Sequence, residues 1–381
     1  MQDFGTKYDR LYVPIVTPFK DNTYNPDESQ LRSFLRVFLQ PKYLESGIGI
    51  IINPEAGEIF YLSHDEIRRN VEIAVEEANG KVPVFAGVID NTTAGTVEVA
   101  LDAKKAGADG LFIIPPMGAI DVTIMWNSIQ YPEVWLDMIR EVAKAVGDMP
   151  MICHPTVAPS PVFGIGLPLE PTIKICTEIK NIVGWKMTYS YEGYKIIAKA
   201  LRKLDRHVAI LGAGSKYFHE SLACEQIDGT VSGSWNYAPE AMLDHFKAWR
   251  NQDLKEARRI WNNGLEELQG YVGSDLSRLH VRYKIAAWLR GFISHPFMRP
   301  PIPKPQMGEV QKLHGTRDGD KANTALFLDV SLFARENIFD HTHHEDYGEF
   351  QPLCLMDGHQ ANTLLVVADG FIGKCFSVFE K

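Results

Sequence analysis

The sequence predicts an α/β chain whose eight short strands close into a parallel (β/α)8 barrel. Runs of β-branched and apolar residues, too short for helices and too unbroken for half-exposed strands, alternate with longer segments of helical periodicity from residue 11 onward. Eight such runs can be counted, which suggests closure. An open doubly wound sheet is the main alternative, but no Gly-rich dinucleotide fingerprint follows the first run, where the chain reads TPFKDNTYNP.

In chain order the expected strands are 11–17, 48–53, 82–88, 110–114, 151–153, 182–187, 208–211 and 229–232. The helices between them carry start signals, such as Ser63 followed three residues on by Glu66 in capping-box spacing. Segments 93–106 and 133–146 repeat apolar residues at three- and four-residue steps. Past the eighth strand come helical segments 239–250, 254–271 and 276–293, more than a minimal barrel needs. The Pro-rich stretch 295–306 marks a boundary or a docked extended segment. The expected division is therefore a barrel with extra C-terminal helices over 1–317 and a small β-containing C-terminal extension over 318–381, where LFLDVSLF, LLVVADGF and CFSVF stand. That extension is read as a partner-binding module or a lid.

With 45% hydrophobic and 23% charged residues, the 381-residue chain has a globular composition and enough apolar mass for a full core. A net charge of -9 with both signs interspersed argues against nucleic acid as a partner. The N-terminus has no apolar signal-like region and no stretch reaches 18 apolar residues, so no membrane association is expected and a cytoplasmic location is. Five widely spaced cysteines without a C-x-x-C pair argue against a disulfide framework or structural zinc. Four read as buried small apolar residues, with Cys153, at a strand end, as the exception. Three histidines and neighbouring carboxylates in 340–346 invite a metal, but adjacent histidines rarely face one ion, and a solvated loop is expected.

Five strings, VPIVTPF (13–19), GIGIIINPEAGEIFYLSHDEIRRNVE (47–72), VPVFAGVIDNTTAGTVEVALDAKKAGADGLFIIPP (82–116), NIVGWKM (181–187) and GTVSGSWNYAPE (229–240), occur in the order of one family. Together they resemble the dihydrodipicolinate synthase and N-acetylneuraminate lyase family of class I aldolases, over roughly 8–315. The resemblance implies a TIM barrel, commonly a homo-oligomer (tetramer or dimer), with Lys186 as a Schiff-base nucleophile toward a small-molecule 2-oxo acid such as pyruvate. It implies no metal and no organic cofactor.

An unperturbed lysine, with a pKa of about 10.4, is almost wholly ammonium at neutral pH, so its surroundings must free the amine. Apolar flanks in Ile182-Val-Gly-Trp-Lys186-Met187 and a strand-end position suit desolvation of that kind. An iminium on a 2-oxo acid is then an electron sink for carbon-carbon cleavage, dehydration or proton loss.

Several positions depart from the family. Its Gly-Thr-Thr-Gly-Glu loop reads Pro54-Glu55-Ala56-Gly57-Glu58 here, exchanging two hydroxyls for a carboxylate and a methyl. Its proton-shuttling tyrosine is replaced by Ile152 in Ile152-Cys153-His154-Pro155, its substrate-binding arginine has no counterpart in Thr156-Val157-Ala158, and the tyrosine pair after the fourth strand is missing. These changes argue against the usual lysine-pathway substrate, hence against dihydrodipicolinate synthase itself. Glu55 and His154 become the candidate acid-base residues beside Lys186. Ala56, Gly57, Ile152, Tyr189, Gly212, Ser234 and Asn236 are the candidate substrate-binding positions, with turn-building roles the stronger reading for Ser234 and Asn236. Trp126, Tyr131 and Trp185 near the mouth would suit a bulky or aromatic substrate. The reaction expected is that of a lyase, aldolase or hydratase/dehydratase; the alternative is a ligand-binding or regulatory barrel that has lost turnover.

Overall fold

The computed structural model describes residues 6–20, 23–116 and 126–314, together with the backbone of 120–121, 124–125, 351–356 and 362–367. Its centre is a closed eight-stranded barrel: β1 Leu11–Pro14, β2 Ile48–Ile52, β3 Val84–Val88, β4 Gly110–Ile113, β5 Met151–Cys153, β6 Ile182–Met187, β7 Ala209–Gly212 and β8 Gly229–Val231. Each strand runs parallel to the next, and β8 closes on β1 through Leu11 opposite Thr230. The expected (β/α)8 TIM barrel is the fold observed. β1 is shorter than the run that announced it, because 15–17 already belong to the loop.

Closure needs an interior that side chains can fill. Rings do this at the N-terminal end. Tyr12 and Phe85 meet edge to face at 5.3 Å. Glycines opposite them leave the space: a Cβ on Gly49 would lie 2.6 Å from the Tyr12 ring, and one on Gly110 would lie 2.3 Å from Phe85.

The outer layer runs α1 Glu28–Phe38, α2 His64–Ala78, α3 Thr93–Lys105, α4 Glu133–Val146, α5 Leu169–Glu178, α6 Tyr191–Leu201, α7 Phe218–Ala223 and α8 Pro239–Arg250. The capping box at Ser63 and Glu66 forms as its spacing predicts. Segment 254–271, read as one helix, is interrupted. α9 Leu254–Ile260 and α10 Glu266–Val272 flank a wide turn at Trp261–Leu265, where Gly264 takes φ 102°. Only glycine adopts that conformation at no steric cost, so the helix breaks there.

α11 Leu279–Leu289 follows, and then the Pro-rich stretch docks rather than dangling. Arg299 in it pairs with Glu66 through both guanidinium nitrogens (2.7 and 2.8 Å) and donates to the carbonyls of Tyr24 and Tyr61. α12 Met307–His314 is tied back by Glu309, which pairs with Arg278 and Arg282 of the α11 region. In the extension, 351–356 pairs antiparallel with 362–367, Gln351 opposite Val367. The segments LFLDVSLF and CFSVF and the histidine cluster 340–346 lie outside the described residues.

The cysteine expectation needs two corrections. Cys224 is exposed, whereas Cys153 and Cys176 are buried. Burial pushes the Cys153 thiol well above its ordinary value and Cys176 up to about 12, so Cys153 is not an activated thiol at the barrel mouth. Among the described residues no helix is long and apolar enough to cross a membrane.

Candidate active site

Strand alternation decides where Lys186 points. Trp185, its neighbour on β6, packs outward against Trp135 of α4 at 6.0 Å, and its indole N–H donates to the Tyr189 hydroxyl at 2.9 Å. Lys186 therefore faces the barrel interior, one pleat above Gly184, whose missing side chain makes room for Leu211 and Ile152. On the adjacent strand the same alternation carries His154 inward, two residues past Ile152. The His154 amide extends the ladder by donating to the Ile113 carbonyl at 2.9 Å.

Three side chains expected to be catalytic converge there. His154 Nε2 lies 2.9 Å from Lys186 Nζ, and Glu55 Oε2 lies 3.1 Å from His154 Nδ1 on the far side of the ring. The second contact has ion-pair distance but lies off the line of the ring N–H, which forms no hydrogen bond. The imidazole rests on the Phe112 ring at 5.3 Å, and Lys186 Nζ stands 5.7 Å over the same ring. Glu55 opens the first of two short 3-10 turns after β2, Glu55–Gly57, and keeps a 20% exposed side chain.

Burial dominates the electrostatics. It lowers Lys186 to about 8, against the opposing charge of Glu55. It pushes Glu55 up, with Lys186 pulling the other way, and it drives His154 well below its ordinary value, helped by Lys186 and His280. His154 is thus neutral. With Nε2 accepting from the lysine, its proton sits on Nδ1 toward Glu55, an assignment made from the contacts.

The other predicted positions separate into two groups. Ala56 and Gly57 stand in the Glu55 turn, where the Thr17 hydroxyl donates to the Gly57 carbonyl at 2.7 Å, and Ile152 lines the interior just below His154. Tyr189 does not join the site. Its hydroxyl is held by Trp185 and Thr172 in the layer between strand and helix. Gly212, opposite outward-facing Met187, packs against Ile227 and Phe218 instead of lining the mouth. Ser234 donates to Gln269 at 2.9 Å. Asn236 spends its amide on Pro14, Val16 and Gly233, stitching β8 to β1. Both are turn builders. Trp185 faces away, and Trp126 donates to the Tyr131 carbonyl at 2.7 Å, so the predicted aromatic rim is not assembled by Trp185.

Sequence reasoning found the helix within 276–293 but missed what α11 brings to the site. Its Tyr283 feels the charge of Glu55, its His280 that of Lys186, and its Lys284 forms a fully buried ion pair with Glu58. The available signal was a helix, LHVRYKIAAWL, with polar residues scattered through it and buried positions on all sides. At the other end of the barrel Asp9, His207 and Asp228 have metal-ligand spacing, but Arg202 grips Asp228 at 2.7 and 2.5 Å and supplies positive charge there.

The model of the Dihydrodipicolinate synthetase family matches residues 7–316. The chain belongs to that family. Its members are lyase-type enzymes of the class I aldolase kind. The 4-hydroxy-tetrahydrodipicolinate synthase of Methanopyrus kandleri is 28% identical over 299 residues, 78% of this chain and 91% of its own length. That of Bradyrhizobium diazoefficiens is 26% identical over 304 residues, 78% and 92% of the two chains. Among solved structures, YagE of Escherichia coli K12, a prophage protein of the family in complex with pyruvate, superposes with TM-score 0.68 at 19% identity, covering 80% of this chain and 96% of that one. The relatives carry the synthase name, so the expectation that this family member is not a dihydrodipicolinate synthase finds no support in them.

Proposed function

We propose that the chain is a class I lyase, an aldolase or a hydratase/dehydratase, in which Lys186 forms a Schiff base with a 2-oxo acid. Pyruvate or a larger derivative would serve, and the relatives' names keep the synthase reaction among the candidates. The observation that carries this reading is the 2.9 Å contact between Lys186 Nζ and His154 Nε2, with Glu55 behind the ring. When the amine attacks the substrate carbonyl carbon, it must shed a proton. The Nε2 lone pair is within hydrogen-bond reach to take it, and the imidazolium so formed is stabilised by Glu55. Returned to the oxygen, that proton makes the carbinolamine hydroxyl; the second Nζ proton, carried the same way, lets that hydroxyl leave as water as the C=N bond forms.

His154 and Glu55 thus do the work that Ile152 cannot do in the tyrosine's place. Ala56 and Gly57 flank the bound acid in this reading. The chain works as a cytoplasmic homo-oligomer, dimer or tetramer, although a relative of known structure is titled a monomeric dihydrodipicolinate synthase variant.

Borohydride reduction in the presence of a panel of 2-oxo acids tests the reading by intact mass. An adduct on the wild type that is absent from Lys186→Ala is the expected result. A protein whose melting temperature rises with an oxo acid yet traps none of the panel is a binding barrel, and the lyase reading fails.

A further inference from the structure

α11 lies outside the minimal barrel, yet it brings a phenol to the barrel mouth. Gly233 opens the turn after β8, and the Tyr283 ring lies so close that a Cβ on Gly233 would stand 1.9 Å from Cε2 and 2.2 Å from Cζ. Cζ carries the hydroxyl, so the hydroxyl-bearing edge of the ring sits over the strand end where barrel enzymes keep their chemistry. Two more rings hold it, Tyr237 at 5.7 Å and His280 at 5.6 Å.

Tyr283 is 7% exposed. The neighbouring Tyr237 hydroxyl is committed to Gln269 at 2.7 Å, but among the described residues the Tyr283 hydroxyl makes no hydrogen bond. Burial, and then the charge of Glu55, push its pKa well above the ordinary value of a tyrosine, while burial, and then Lys186, lower His280 to about 4. One face of α11 is therefore within electrostatic reach of the Glu55–His154–Lys186 group. Tyr283 remains protonated at any working pH and is a donor rather than a base.

We propose that Tyr283 is a further catalytic residue of the Lys186 site, its hydroxyl donating a hydrogen bond to the substrate C2 oxygen as the lysine attacks. The inference rests on the Schiff-base reading. As the Nζ–C2 bond forms, the carbonyl π pair moves onto oxygen. His154 is occupied on the nitrogen side, and the phenol meets the growing negative charge on the other. No co-reactant is needed, because both protons of the departing water come from Nζ through His154, one as the carbinolamine forms and one as the C=N bond closes.

The test is the rate of borohydride-trapped pyruvate on Lys186 in full-length protein, compared among wild type, Tyr283→Phe and Gly233→Ala. Tyr283→Phe should trap about 10²-fold more slowly, with its half-saturating pyruvate concentration and melting temperature unchanged, the loss expected for one oxyanion donor. Gly233→Ala, whose methyl must push the ring aside, should slow trapping although the hydroxyl is still present. A role confined to packing would move melting temperature and leave the rate alone. Wild-type trapping rates in Tyr283→Phe overturn the proposal, and if that variant does not fold, a wild-type rate in Gly233→Ala overturns it instead. If the wild type traps no pyruvate while trapping another panel acid, the same comparison is made with that acid. No trapping by the wild type at all removes the Schiff-base reading and this inference together.

Discussion

Two lysines stand near the barrel mouth, Lys284 fully buried and Lys186 half-buried, and they are held in opposite ways. Lys284 on α11 is paired directly with Glu58, both side chains 0% exposed; it also donates to the Phe297 carbonyl at 2.7 Å and stands 4.0 Å over the Phe19 ring. Glu58 in turn accepts from the Arg299 amide at 2.8 Å. That arrangement holds an ammonium and clamps the docked Pro-rich stretch to the loop after β2. Lys186 has its carboxylate one imidazole away, with His154 interposed. The first lysine is a stitch and the second is a poised amine. What distinguishes them is the distance of the compensating charge, since burial alone lowers both.

The comparison can be broken by removing each amine in turn. Lys284→Met strands Glu58 in the core and should cost about 3–5 kcal/mol in chemical denaturation, the range for removing one partner of a buried pair. Lys186→Met should cost little at pH 7 and can stabilise. The sign of its pH dependence is fixed: Lys186 titrates near 8 when folded and about 10.4 when unfolded, so between those values the unfolded chain binds more protons and wild-type stability rises with pH. Lys186→Met should lack that rise. Equal stability losses in the two variants would contradict the distinction.

Next in size is His154→Gln, which keeps a polar side chain but cannot shuttle a proton. It should lower the trapping rate about 10²-fold, within the usual range for a general acid-base group, with the adduct still on Lys186. Glu55→Gln gives the smallest effect. Removing the charge that opposes the burial shift lets the Lys186 pKa fall further, so the pH midpoint of trapping should move below 8. A midpoint that stays or rises would mean that Glu55 does not act on the amine.

The same contrast explains what the sequence made legible. Strands buried on both faces, such as IGIII in β2 and GLFI in β4, can be read because nothing polar interrupts them. The convergence of Lys186, His154 and Glu55 could be anticipated because all three sit at strand ends facing one mouth, and the pleat fixes which residues face in. The same alternation, counted on from Lys186, turns Met187 and Trp185 outward, and the misassignment of Trp185 came from setting that rule aside. Tyr189 lies past the strand end, where only the Trp185 hydrogen bond reveals its side. Contributions from α11 were not legible. A helix buried on every side has no apolar stripe to orient it, and its approach to the mouth depends on the long-range space left by Gly233. The break at Gly264 was hidden by intact apolar periodicity on both sides.

The most direct measurement is peptide-mapped borohydride trapping on the full-length protein across pH 6 to 9, read at Lys186 and Lys284 separately. The account predicts an adduct on the Lys186 peptide alone, forming faster as pH rises through about 8. An adduct on Lys284, or none on Lys186 with any 2-oxo acid in the panel, would contradict it.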